Sequence, residues 1–444
     1  MASELALLGG KKVVQADQGD MFDWPIVTPE IEAAILEVLR AGKMSGTDVT
    51  KLFEQEYAAW HGVKYALAHN TGTASIHGAF FGLGIGKGDE VICPSITYWA
   101  SCAQVLSLGG RVVFADVDPN TLCMNPAQIE SLITPRTKVI VAVHYLGYPA
   151  DMDAILPIAR KHGLKVLEDV SHAHGGLYKG RMVGTMGDVA GFSLMTGKSF
   201  ATGEGGIMIT NDQYIYERAI AFGHYERHGE LTYPDLVAGA GLAWGGYKYR
   251  MHQLTSAMGR EQLKKYPTEM AEIDRAMNYF WDLLEGVPGI KAHRPPKGSG
   301  MTMGGWYAAH GLYRPEELGG LSVTRFCQAV AAEGVPTGPG CNKALHLHPL
   351  FSTLDVYKEG KPTNVVNLPE GVVVKSQLGT LPVAEGIQER CFGIPWFKHY
   401  RPEIIEQHAE AIKKVVRNFE DLLADDPGNP KDGGAWFTSR RRGA

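Results

Sequence analysis

A chain of 444 residues with 45% hydrophobic content buries a large core, as one big α/β domain plus a smaller one, which excludes disorder for the bulk of it. Lys and Arg number 43 against 48 Asp and Glu, a formal net charge of -5, so no global basic field draws the chain to nucleic acid or to an anionic membrane. The six cysteines are scattered without a C-x-x-C pair, which argues against a disulfide scaffold and a structural zinc site and fits a reducing compartment.

Residues 1–25 read as an N-terminal segment. Glu4 precedes its short apolar stretch and Lys11 and Lys12 follow it, the reverse of a secretory leader, and no run of about 18 apolar residues is present to span a bilayer. A cytoplasmic protein without membrane partners is expected. Thr28 to Gly42 predicts a helix with Thr28 as N-cap, Pro29 at the first helical position, Ile31, Ile35, Val38 and Leu39 on one face, and Gly42 as stop. Short apolar runs follow at Tyr65 to Ala68, Glu90 to Cys93, Arg111 to Phe114, Lys138 to Val143, Lys165 to Leu167, Val189 to Phe192 and Gly206 to Thr210. Helical stretches such as Thr73 to Leu83 and Asp151 to His162 lie between them, so the expected fold class is α/β, a mostly parallel sheet flanked by helices. Such a sheet binds ligands at the carboxyl ends of its strands. A large domain is expected over 26–270, a smaller α/β domain over 271–425, where the periodicity shifts to long helices and separate strands, and a mobile tail over 426–444, which is rich in Gly, Pro and Arg.

Four segments could carry chemistry. Gly191 to Gly206 places Lys198 among small residues between two strand-like runs, where a lysine can form an imine with an aldehyde. Alone, it reads as a solvated loop lysine. The strand ending at Glu168 and Asp169 delivers an acid to its carboxyl end, where a carboxylate could keep a pyridine nitrogen protonated or simply cap a helix. Asn70-Thr71-Gly72-Thr73-Ala74 is a strand-to-helix turn whose backbone donors suit a phosphate, though capping alone explains the threonines. Pro94 to Trp99 brings Tyr98 to the same sheet edge, to stack on a flat heterocycle or to pack in the core. The glycine-rich run Gly82 to Gly88 follows a helix and precedes a strand, the wrong order for a nucleotide loop. His346 and His348 could point the same way from a strand, but no third ligand of suitable spacing accompanies them, so no metal is expected.

Taken in order, these pieces resemble the DegT/DnrJ/StrS family of sugar aminotransferases, members of the aspartate-aminotransferase-like fold, from about Leu5 to about Val415. The resemblance also rests on Gly86 to Val91, Val143 to Gly147, Pro149 to Asp153, Tyr178 to Arg181 and Trp244 to Met251. It implies pyridoxal 5′-phosphate (PLP) as cofactor and transfer of an amino group from an amino acid donor, glutamate or glutamine, to a keto sugar or keto cyclitol. By the same resemblance Lys198 matches the lysine that holds PLP as a Schiff base and moves the proton, and Asp169 the acid on the pyridine nitrogen. His172 matches the residue against the 3′ oxygen, Tyr98 the stacking aromatic, and Gly72, Thr73 and Ser193 the phosphate-holding residues. Where many relatives have Asn in a Gly-x-Asn-x-Arg-Met segment that reaches the partner subunit's phosphate, this chain has Lys248, whose ammonium can also bind phosphate. The resemblance further implies a homodimer with shared active sites. A dehydratase branch of the family replaces the lysine by His, which this chain does not. A noncatalytic PLP-binding regulator, with the basic tail contacting a partner, is the reading from a different class.

Overall fold

The computed structural model describes residues 3–372, 381–431, 433, 434 and 436. All seven apolar runs become strands of one sheet: β1 (Tyr65–His69), β2 (Glu90–Pro94), β3 (Arg111–Ala115), β4 (Thr137–Val143), β5 (Lys165–Asp169), β6 (Val189–Ser193) and β7 (Gly206–Thr210). Their order is β1-β7-β6-β5-β4-β2-β3. From β3 through β6 every neighbouring pair is parallel, while β7 runs antiparallel to both β6 and β1. The sheet is thus mostly parallel, and the near-continuous burial of β2, β3 and β7 reflects helices on both faces.

Those helices include α1 (Pro29–Arg40), α2 (Asp48–His61), α3 (Gly72–Gly82), α4 (Met152–His162), α5 (Gln213–Gly223) and the 31-residue α6 (Gln253–Leu283). In α1, Thr28 holds an extended N-cap backbone and Pro29 opens the helix, as expected, but the Thr28 side chain makes no cap hydrogen bond. Ile31 and Val38 are buried, whereas Leu39, expected on the same face, is 46% exposed because α1 meets α6 along a narrower stripe.

The N-terminal half of α6 lies against α1 and α2, and its C-terminal half buries Ile273, Met277, Phe280 and Trp281 in a second core, so the helix runs unbroken through the expected domain boundary near residue 271. That second core surrounds an antiparallel sheet of β8 (Ile290–Ala292), β9 (His310–Tyr313), β10 (Gly338–Pro339) and β11 (Cys391–Gly393), in the order β8-β9-β11-β10, with α7 (Val323–Ala332) and α8 (Pro402–Arg417) against it. The N-terminal segment joins it: Leu5, Val14 and Met21 are buried there, and the Glu333 carboxylate accepts from the backbone N–H groups of Ala6 and Val13.

Of the tail, Asp426 accepts from the backbone and hydroxyl of Ser322 and Asn429 accepts from Thr324, which ties the chain to the start of α7 as far as residue 429. Residues 432, 435 and 437–444 of that expected mobile segment lie outside the described residues. Among the described residues no helix is long and apolar enough to cross a membrane.

Candidate active site

Parallel strands end on one sheet edge, so the segments that follow them meet there. A cavity of about 310 Å³ opens at that edge, and Gly72, Thr73, Tyr98, Asp169, His172, Ser193 and Lys198 all line it. Lys248 does not. Its ammonium lies 5.9 Å from the centroid of Tyr225, and its carbonyl accepts from the side chain of Asn70.

Lys198 stands in the loop between β6 and β7. Backbone bonds from Thr196 to Gly203 (2.7 Å), Thr202 to Leu194 (2.8 Å) and Lys198 to Met195 (2.8 Å) fold that loop back on itself. The Trp24 indole N–H donates to the Lys198 carbonyl at 2.8 Å and holds the loop from the N-terminal side. The lysine side chain is almost wholly buried, with Nζ 4.1 Å from the centroid of the Tyr307 ring.

Asp169 ends β5. Its Oδ2 accepts from the Ser101 hydroxyl at 2.6 Å and its Oδ1 from the backbone N–H of Ser171 at 3.0 Å, so the orientation of the carboxylate is fixed from two sides. His172 Nδ1 accepts from the backbone N–H of Leu146 at 3.2 Å. Burial, and then the charge of Lys198, push this imidazole well below its ordinary pKa, so it is neutral and carries its proton on Nε2. The N–H it receives comes from a strained residue: Leu146 has φ +53, a left-handed conformation that a branched side chain rarely adopts.

The turn from β1 into α3 meets the end of β6 closely. A Cβ on Gly72 would lie 2.5 Å from the Cβ of Ser193, so only glycine lets the helix start against that strand. Thr71 accepts from the Ala74 N–H at 3.0 Å as N-cap, which leaves the N–H groups at Gly72 and Thr73 without partners inside the helix. A helix N-terminus of this kind receives a phosphate. Tyr98, 36% exposed, stands beside Trp99 with ring centroids 5.0 Å apart. One cavity therefore offers phosphate donors, a carboxylate for a ring nitrogen, a neutral N–H donor and a buried amine for an aldehyde, a set that fits PLP.

Several lining residues carried no role in the sequence reading. Ser101 sits in a short 3-10 turn after β2. Tyr307, His310 and Asn342 come from the second sheet and its loops, about 110 to 145 residues beyond Lys198, a distance that sequence pattern does not bridge. Tyr145 belongs to the quoted segment Val143 to Gly147, and its hydroxyl donates to Asn342 Oδ1 at 2.7 Å. His346 stands on a short 3-10 turn and His348 in the bend that follows it, rather than on a strand. His346 Nδ1 is 2.6 Å from the Ser95 hydroxyl and its Nε2 3.0 Å from Glu385, while His348 accepts from the Leu350 N–H.

Residues 25–413 match the DegT/DnrJ/EryC1/StrS aminotransferase family. The spore coat polysaccharide biosynthesis protein SpsC of Bacillus subtilis is 32% identical over 407 residues, 89% of this chain and 97% of that protein. A putative L-glutamine:3-amino-2,3-dideoxy-scyllo-inosose aminotransferase of Streptoalloteichus tenebrarius is 33% identical over 449 residues, 95% of this chain and 100% of that protein. The solved structure of an aminotransferase from Psychrobacter cryohalolentis superposes with a TM-score of 0.75 at 30% identity, over 90% of this chain and 100% of that one. With the fold, the cavity and full-length relatives in agreement, the chain belongs to the DegT/DnrJ/EryC1/StrS family and is a PLP-dependent aminotransferase of fold type I.

Proposed function

We propose that the enzyme moves an amino group from glutamate or glutamine to a keto sugar or keto cyclitol. The observation that carries this reading is the convergence of Lys198, Asp169, neutral His172 and the N-terminus of α3 on one cavity. The Streptoalloteichus relative, named for glutamine and an inosose, supports both the donor and the acceptor class.

When bound, PLP supplies a ring that takes up the electron pair left as the proton departs from the donor's α carbon. The residues of this chain do the rest. Lys198 would hold the cofactor through its aldehyde carbon and, once freed by the donor's amine, its Nζ would carry the proton taken from the donor's α carbon. Asp169, held by Ser101 and Ser171, keeps the ring nitrogen protonated. His172 Nε2–H would donate to the cofactor's 3′ oxygen, Tyr98 would stack on its ring, and Gly72, Thr73 and Ser193 would hold its phosphate. The same residues then act in reverse order on the acceptor's carbonyl. Lys248 of a second copy of the chain reaches the phosphate as a point charge, which makes the working unit a homodimer with shared sites.

The test loads the enzyme with pyridoxamine 5′-phosphate and adds nucleotide keto sugars, keto sugar phosphates and inososes in turn. Return of the visible absorbance of Lys198-bound cofactor with one class identifies the acceptor. No amino transfer with any donor or acceptor, together with salt-dependent DNA binding, would instead favour the regulator.

A further inference from the structure

A keto sugar or keto cyclitol carries hydroxyl groups that lose water on entering a cavity, and a hydroxyl left there without a partner weakens binding. Asn342, in the loop after β10, has a side chain placed to supply such a partner. It is only 8% exposed, yet it lines the cavity beside Lys198.

Its backbone is held from behind. The Gln388 side chain accepts from the Cys341 N–H at 3.1 Å and donates to the Asn342 carbonyl at 2.7 Å, so one amide grips the loop at two points. The Asn342 side chain is set by Tyr145, which is fully buried and whose pKa that burial pushes well up, so the phenol keeps its proton. The backbone N–H of Asn342 donates to the phenol oxygen at 3.3 Å, and the phenol's own hydrogen goes to Oδ1 at 2.7 Å. Turning the amide over would press a second N–H donor onto that oxygen and strand a buried hydroxyl proton. Nδ2 therefore faces away from Tyr145, and its two N–H groups meet no acceptor among the described residues.

An uncharged donor suits an uncharged oxygen. The cavity already holds Asp169 and Glu204, so a carboxylate laid against Nδ2 would add to their negative charge while the amide offers no charge in return. A hydroxyl adds none. The acceptor's keto carbon is committed to the cofactor's amino group, which leaves its ring hydroxyls for Asn342.

We propose that Asn342 Nδ2 donates a hydrogen bond to a ring hydroxyl of the amino acceptor, with its orientation set by Tyr145 and its place by Gln388. This rests on the reading that the acceptor is a keto sugar or keto cyclitol. It makes Asn342 a specificity-determining residue of the second half-reaction and leaves the first half-reaction unaffected.

Two measurements on the full-length, PLP-loaded enzyme test it, with scyllo-inosose, a nucleotide keto hexose and a keto hexose phosphate as acceptor probes. The first uses Asn342→Asp, which keeps the oxygen that meets Tyr145 and replaces the N–H donors by an oxygen that only accepts. Its single-turnover rate constant with glutamate or glutamine should stay within about twofold of wild type. The second-order rate constant of its pyridoxamine phosphate form with the probe that reacts should fall by about 10- to 100-fold. Equal losses in both halves, the mark of a merely structural residue, overturn the proposal, as does an undiminished second half. The second measurement uses wild-type enzyme, so it does not depend on the variant folding: monodeoxy analogues of the reacting probe, each without one hydroxyl. One analogue should react about 10- to 100-fold more slowly than its parent, and Asn342→Asp should treat that pair alike. Analogues that all match the parent overturn the proposal. If wild-type enzyme aminates none of the three probes but does aminate a keto acid, the acceptor reading fails and the proposal with it. A probe that reacts equally well with wild type and Asn342→Asp sinks the role of Asn342 alone.

Discussion

The hydroxyl of Ser101 donates to Oδ2 of Asp169 across 2.6 Å, and the hydroxyl of Thr97 lies 2.7 Å from Ser101 in turn. This relay begins in the turn after β2 and ends on the acid that closes β5, so two hydroxyls of that turn orient the carboxylate in the cavity. Ser101→Ala should lower the turnover number by about tenfold, the worth of one hydrogen bond to a charged group, while the protein still retains PLP. Rapid-mixing measurement of the first half-reaction checks this. An unaltered rate would show that Ser171 alone suffices.

Gly72 faces Ser193 with no room for a methyl group. Gly72→Ala should push α3 away from β6, destabilise the fold by about 1–3 kcal/mol and weaken PLP binding by about tenfold, because the helix N-terminus no longer meets the phosphate. Thermal unfolding with and without PLP separates the two effects. Normal affinity in a well-folded variant would remove this turn from the phosphate site.

Several buried histidines set the acid limit. Burial takes His61, His77 and His293 down to about 4 and His174 to about 3, from an ordinary 6.5. In the folded state these rings stay unprotonated until about pH 4, whereas the unfolded chain protonates them below 6.5. The unfolded state therefore binds more protons across that window, and stability falls as the pH drops through it, by about 1.4 kcal/mol per pH unit for each ring. Urea unfolding between pH 7 and pH 4.5 should show a steep decline that His77→Gln makes shallower. Stability that holds level or rises on acidification contradicts the account.

A shared site can be tested by mixing subunits. Lys198→Ala and Lys248→Ala homodimers should each be impaired, yet dissociated and reassembled together they should regain about a quarter of wild-type activity, since half the dimers are hybrids and each hybrid contains one intact site. No recovery from a demonstrated hybrid would place Lys248 in its own subunit's chemistry or in none.

The sequence revealed the sheet because fully buried strands read as short apolar runs bounded by polar turns, and each of the seven runs lies within a residue or two of its strand. Direction was not legible in the same way. Gly206 to Thr210 is as apolar as its neighbours, and nothing in its pattern says that it returns antiparallel between β1 and β6. Lys198, His172 and the Gly72 turn were legible because each follows a strand, and Asp169 because it closes one, at the sheet edge where the cavity opens. Ser101 was not, since a serine in a 3-10 turn has many uses, and neither were Tyr307 and His310, which reach the cavity only through packing of the second core against the first. Leu39 shows the limit of periodicity, which marks an apolar stripe but not how much of it a neighbouring helix covers.

The proposed chemistry turns on the amine of Lys198. Purified enzyme incubated with PLP, reduced with borohydride, digested and mapped by mass spectrometry should carry one pyridoxyl adduct, on the peptide containing Lys198. An adduct on another lysine such as Lys248, or no adduct under conditions where PLP saturates the protein, would contradict it.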